Sequence, residues 1–480
     1  MPQSLSSTQS HSVRVGIIGG GIAGSTIAIK LAAQGIQVSL LEQGPSLVNG
    51  PPICHLHAGG NLYREIDDEQ CLTLLRQSIA TLKLYRHSAD YRPTVIAIPT
   101  RDPGEISQLL PRLEKLKQEY KQLVAKDSAN QVLGEPDDYF ALYQRDDLER
   151  LAKLAPVSIP TTQEQWLIPV AKTLDLDKLK FPIILVQEYG LSVFRLAASA
   201  TLALEKCPNA NVYTHCQVQD IARQDDHWQL EVTNNAQTQS LSFDYLINAC
   251  GYQSGSIDDL IGLHSQRLVE FKAAYVTHWQ HHIETWPEVI IYGERGTPNG
   301  MAQLTPYPGG YFQVHGMTQD ITLFDQGLVK SGASSAQPQL APRFISKLNQ
   351  AWPEDLATQR TRRAIEFVSE FIPSFSSATV GGKPLFGAQQ IPGQDPDLRA
   401  ADVCFSQLNY ARCEIVKASS AIDAADAIID QFDALGWVNT NETELMTLID
   451  IDVNNIETLA IALATARNYP TQLATRITSR

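Results

Sequence analysis

The sequence predicts an α/β fold. A Rossmann-type domain with a central parallel sheet flanked by helices carries an inserted α+β domain on a mostly antiparallel sheet, and a helical C-terminal tail follows. Three observations predict it. Residues 13–42, VRVGIIGGGIAGSTIAIKLAAQGIQVSLLE, read as strand, glycine turn, helix, strand and a final acid. Residues from about 269 to 325 alternate as half-buried strands do. The chain has 480 residues, more than one compact core usually holds.

The opening unit is the most specific. Val13, Val15, Ile17 and Ile18 make a short apolar strand, and Gly19, Gly21 and Gly24 fall on the G-x-G-x-x-G spacing. Gly19 permits the tight turn, Gly21 lets a pyrophosphate approach the backbone, and Gly24 lets helix and strand pack closely. Ile22 and Ala23 begin a helix whose unpaired N–H groups and positive dipole end suit phosphates. Ile27, Ala28, Leu31 and Ala32 continue it at helical spacing, Gly35 ends it, and Val38 to Leu41 form the next strand. Glu42 at the end of that strand can accept hydrogen bonds from ribose hydroxyls, with Gln43 beside it. Dinucleotide binding follows from this order of parts; a glycine turn in an ordinary βαβ unit is the plainer alternative.

Composition narrows the class. The hydrophobic fraction, 43%, is ordinary for a globular protein. No apolar run approaches the roughly 20 residues that span a bilayer. MPQSLSSTQSHS at the start is polar and lacks the apolar core of a secretion signal. Seven cysteines (54, 71, 207, 216, 250, 404 and 413) are scattered with no CxxC pair, so neither a disulfide framework nor a metal site is indicated. A cytoplasmic location fits. The net charge of −14 argues against nucleic acid and against a basic membrane-binding face.

Further along, residues 105–126 predict a helix packed on one side, and 137–156 a second, short one. A strand is expected to enter Glu188-Tyr189-Gly190, with a helix from Ser192 to Lys206 and strands at 211–218 and 228–233. FDYLINACGYQS (243–254) is an apolar strand ending in Ala249, Cys250 and Gly251, small residues that let a ligand approach the backbone. The β-region 269–325 is followed by a helical stretch at 341–371, GGKPLFGAQQIPG (381–393), a strand at 402–405 and a helix in 417–432. The tail 440–480 reads as helical.

Together these pieces resemble the D-amino-acid oxidase superfamily of flavoproteins. The resemblance rests on the GxGxxG with Glu42, on QEYGLSVFRLAASA, on LINACGYQS and on GGKPLFGAQQIPG. Within that superfamily, VKASSAIDAADAII and YGERGTPNGMAQLTPY are most similar to malate:quinone oxidoreductase. The late motif departs from the family pattern at Lys383 and Gln389, and NYARCEIVKASSA lacks the usual paired glycines.

The resemblance implies FAD as cofactor and oxidation of a small amino or hydroxy acid by hydride transfer. The acceptor is left open between oxygen, a quinone and another carrier. It implies an FAD-binding domain from 13–62, 184–262 and 381–435, a substrate-binding domain from 63–183 and 263–380, and an extension at 436–480. Arg295, Lys383 and Arg412 become candidates for a carboxylate clamp. His315 is the candidate base for a hydroxyl proton. Ala58, Gly59 and Gly60 are expected against the flavin ring, with His55 or His57 a possible covalent attachment point. Val218 is expected to bond the adenine through its backbone. Ala249, Gly251, Ala418 and Ser419 complete the cofactor contacts. Two other functions compete: an FAD-binding protein without redox turnover, and an NAD(P)-dependent dehydrogenase. Peripheral membrane contact through 440–480 is conceivable, but Glu442, Glu444, Asp450 and Asp452 disfavour anionic lipid.

Overall fold

The apolar run before the glycine turn is short, flanked by helix-forming sequence, and buried on both faces. It therefore becomes the middle of a parallel sheet. The computed structural model describes residues 13–50, 66–280, 285–350, 352–399, 403–438, 445 and 449–477. Among these residues a six-stranded sheet runs in the order Val403–Gln407, Tyr410–Cys413, Tyr245–Asn248, Arg14–Ile18, Gln37–Leu41, Ala210–Tyr213. Neighbours are parallel except the edge strand Val403–Gln407, which is antiparallel to Tyr410–Cys413. The helix Ile22–Ala33 packs against the helices Val193–Glu205 and Ala421–Ala434. It is buried almost all round, as an apolar helix inside an α/β domain must be.

The second large sheet has ten strands among the described residues and is built around the long strand Arg267–His278. Tyr311–Gly316, Ala302–Tyr307, Glu288–Ile291, Thr94–Pro99, Leu179–Val186 and Phe140–Tyr143 follow in that order. Pairing is antiparallel except between Glu288–Ile291 and Thr94–Pro99. A small antiparallel sheet, Cys216–Gln224, His227–Asn234 and Gln237–Phe243, packs Trp228, Leu230 and Val232 against Ile18, Leu41 and Leu246.

Several local expectations are corrected. Residues 137–156 contain the strand Phe140–Tyr143 before the short helix Arg145–Leu151, because Phe140–Tyr143 pairs with the edge of the large sheet. The segment 211–218 is two strands, broken at His215, whose φ of 53° turns the chain out of one sheet and into another. The region 341–371 is two helices, Pro342–Asn349 and Glu354–Ser369. Within 381–435, Leu385–Pro392 pairs with Arg267–Ala274 in the large sheet, and the chain returns to the parallel sheet only from Val403.

The two sheets are bolted together at Asp258, which is fully buried on the helix Ser254–Leu260. Its carboxylate accepts from Arg267 at the start of the long strand, from Arg412 Nη1 at 2.9 Å, and from the Tyr410 hydroxyl at 2.8 Å. The last helix, Val453–Ala466, lies on Val193–Glu205. No helix of the described residues is long and apolar enough to cross a membrane.

Candidate functional site: a cleft between the two sheets

The glycine turn is stitched to the ends of both neighbouring strands. Gly19 N–H donates to Leu41 O at 2.8 Å, and Ala249 N–H donates to Ile18 O at 2.8 Å. Gly19 has a φ of +101°, the left-handed side that glycine tolerates. A Cβ on Gly24 would lie 1.9 Å from the Gly19 carbonyl oxygen, so helix and turn meet only because Gly24 has none. A Cβ on Gly21 would meet nothing within 4 Å; it would project into open space in front of the helix. Gly21 caps the helix with no side-chain bond, which leaves the first-turn N–H groups facing that space. This bare helix end is what a pyrophosphate needs, and the residues present fit a dinucleotide.

Gly21, Ile22, Ala23, Ala249 and Gly251 line one end of a deep cleft. Glu42 is buried beside the turn. Its oxygens accept from Gly20 N–H at 2.7 Å and Gly44 N–H at 2.6 Å. Asn248 ends its strand by holding the following bend, accepting from Cys250 N–H at 3.2 Å and donating to Ser254 O and the Tyr410 hydroxyl at 2.9 Å.

The other end of the cleft lies against the large sheet. Lys272, Gln303, His315, Gln389 and Gln390 line it from four strands, and Arg295 and Arg399 reach it from loops. Buried Glu270 is bridged by Lys272 at 2.7 Å and by Arg295, while Asp397 lies 3.5 Å from Arg399 and 3.9 Å from Arg295. Burial alone would push the Glu270 carboxyl up. Lys272 and Arg295 outweigh it and hold the group below the ordinary carboxylate value. Burial pushes the Lys272 ammonium below the ordinary lysine value, against the pull of Glu270. Three cations thus share one buried carboxylate and one carboxylate at the rim. That surplus favours an incoming anion.

The predicted residues divide accordingly. Gly21, Ile22, Ala23, Ala249, Gly251, Ala418, Arg295 and His315 share the cleft. Gly19 and Gly24 shape its turn. Arg412 is turned away, held by Asp258 and by Glu414 at 2.9 Å. Lys383 lies over the Tyr469 ring at 4.3 Å and does not line the cleft. Gln43 bonds Gln253 at 2.6 Å on the surface, and Ser419 is buried behind Ala418 with its carbonyl toward Thr81. Val218 sits in the small sheet beside a bulge, packed on the cluster that contains Ile18 and Leu41. His55, His57, Ala58, Gly59 and Gly60 lie outside the described residues. Lys272 and Arg399 were missed. A lysine two residues from a glutamate in the mainly apolar strand sequence LVEFKAAYV was the available signal for the first; Arg399 carried none.

A parallel sheet with this turn, helix end and buried acid defines a dinucleotide-binding protein. The DAO family model, described as FAD dependent oxidoreductase, matches residues 14–398, and the chain belongs to that family. It is an FAD-dependent enzyme, which decides against nicotinamide as the cofactor. No curated protein matches the sequence significantly. Solved structures share the fold. Glycine oxidase from Geobacillus kaustophilus aligns with TM-score 0.54 at 13% identity, over 89% of this chain and 96% of its own. L-proline dehydrogenase from P. horikoshii gives 0.55 at 14%, over 90% and 96%. NikD, an amino acid oxidase essential for nikkomycin biosynthesis, gives 0.57 at 14%, over 90% and 97%.

Proposed function

We propose that the protein oxidises a small amino or hydroxy acid whose carboxylate is held by Arg295, Lys272 and Arg399. The observation that carries this reading is the placement of that cationic cluster in the same cleft as the phosphate-facing helix end. FAD, when bound, supplies the hydride acceptor for a C–H bond next to an amine or hydroxyl. The protein's own task is to hold and orient. Arg295 offers a planar fork for the carboxylate, and Lys272 offers a point charge, itself oriented by Glu270 and by Gln389 at 3.0 Å.

The amide of Gln303 donates to Glu288, which leaves its carbonyl oxygen as the acceptor for an N–H or O–H on the substrate. His315 stands directly across from Gln303 on the adjacent strand, placed to take a hydroxyl proton. An amine that enters unprotonated needs no such base. The walls Val193, Leu196, Met301 and Met317 are apolar and keep water from the reacting carbon.

The test is an anaerobic titration of the purified flavoprotein with a panel of 2-amino and 2-hydroxy acids, watching the flavin band near roughly 450 nm. Bleaching by one class names the substrate class, and reoxidation with oxygen or a soluble quinone then names the acceptor. A flavin that dithionite reduces but no acid of either class bleaches would refute the reading.

A further inference from the structure

We propose that the C-terminal segment is a working part of the flavin site, in which Arg467 is a positioning residue that holds the loop 46–50 against the glycine turn. Arg467 follows the last helix and lies beyond residues 14–398, which the family model covers. Its guanidinium donates to three acceptors of one short loop: Val48 O at 3.0 Å, Leu47 O at 2.9 Å and Ser46 Oγ at 3.0 Å. Val48 is the residue that needs holding. Its φ is 49°, in the left-handed region that a β-branched side chain avoids.

In that conformation Val48 N–H donates to Gly20 O at 2.9 Å, inside the dinucleotide turn, and Val48 and Gly50 line the cleft. Glu42 bonds the same turn through Gly20 N–H and accepts from Asn49 Nδ2 of the same loop at 3.4 Å. Loop and turn are therefore one unit, strained at Val48 and closed from outside by Arg467.

The segment is also anchored at or beside two elements that line the cleft, the helix Val193–Glu205 and the strand Leu385–Pro392. Arg467 lies over the Phe194 ring at 5.6 Å, the Tyr469 hydroxyl donates to Pro384 O at 3.0 Å, and Ser192 Oγ donates to Leu473 O at 3.0 Å. A tail that merely covered the helix Val193–Glu205 would have no reason to place a half-buried guanidinium on the carbonyls of a strained loop.

The experiment measures FAD release after dilution of the holoprotein, by the fluorescence of freed flavin, with thermal unfolding of each apoprotein alongside. Arg467→Ala should release flavin about tenfold faster or more, because three charge-assisted bonds are lost. Arg467→Lys, a point charge that cannot fork, should fall between it and the wild type. Adding Val48→Gly to Arg467→Ala should recover most of the lost retention, since glycine adopts the left-handed conformation without cost. Release from Arg467→Ala at the wild-type rate would overturn the proposal. So would a glycine that lifts neither retention nor recovery, which would leave Arg467 a packing residue. If Arg467→Ala does not fold, Arg467→Lys with and without Val48→Gly decides the same question. A wild-type chain that holds no FAD at all would instead strike at the cofactor itself.

Discussion

Gly24 and Arg295 show how differently single residues announce themselves. At Gly24 the reason for glycine is local: the carbonyl of Gly19 occupies the space of a side chain. Gly24→Ala is therefore expected to destabilise the apoprotein by about 3 kcal/mol and to abolish FAD binding, as urea unfolding and flavin titration would measure. The turn was legible because every part of it lies within thirty residues of sequence. The cationic cluster was not, because Lys272, Arg295 and Arg399 meet only after three separate segments converge. In the proposed role of carboxylate anchor, Arg295→Leu should raise KM for the proposed acid substrate about 30- to 100-fold with a smaller effect on kcat. A carboxylate anchor acts alike on the bound substrate and the transition state. The cluster also sets a pH dependence. Glu270 is held below its ordinary value, so its contribution to stability is fully present above that value and is lost as pH falls through the lowered one. Thermal midpoints should drop more steeply as pH falls below the ordinary carboxylate value of 4.5 in the wild type than in Glu270→Gln.

At the scale of elements, the sequence Glu188-Tyr189-Gly190 has a structural explanation. Glu188 accepts from the Tyr139 hydroxyl at 3.0 Å, and Gly190 makes room for Arg92, whose Nη2 would lie 2.8 Å from a Cβ there. Arg92 in turn pairs with buried Glu288 at 3.0 Å, the carboxylate that orients Gln303 in the cleft. The motif thus reaches the site through two buried charges and not by direct contact. Asp258 plays the corresponding part for the helix Ser254–Leu260 and for both sheets. Asp258→Asn removes the charge that Arg267 and Arg412 share in the interior, and is expected to cost about 3–5 kcal/mol in chemical denaturation. Arg412 was read as a substrate clamp because the family resemblance puts its segment near the substrate, and an arginine there looks the same in sequence whichever way it turns. Its partner Asp258 decides the direction, and nothing in the spacing reveals that pairing. Strands and helices with clear periodicity were legible. The break at His215 was not, because a left-handed histidine leaves no pattern.

For the whole molecule, the division into two sheets was readable from the change of periodicity along the chain, but the route of the chain between them was not. Leu385–Pro392 is as apolar as the strands of the parallel sheet, yet it pairs with the long strand of the other one. Only the partner's register distinguishes the two destinations. That interleaving has a consequence for how the protein is made. The strand Arg14–Ile18 leaves the ribosome well before its neighbour Tyr245–Asn248, which is synthesised some 230 residues later, and Tyr410–Cys413 comes later still. At roughly 5–20 residues per second, the bare edge of Arg14–Ile18 waits on the order of ten seconds to a minute for its partner. Through that interval Val15 and Ile17 have the parallel strand Gln37–Leu41 and the helix Ile22–Ala33 to shield them. The nascent chain is thus a natural client for holding chaperones until Tyr245–Asn248, and then Tyr410–Cys413, close the sheet.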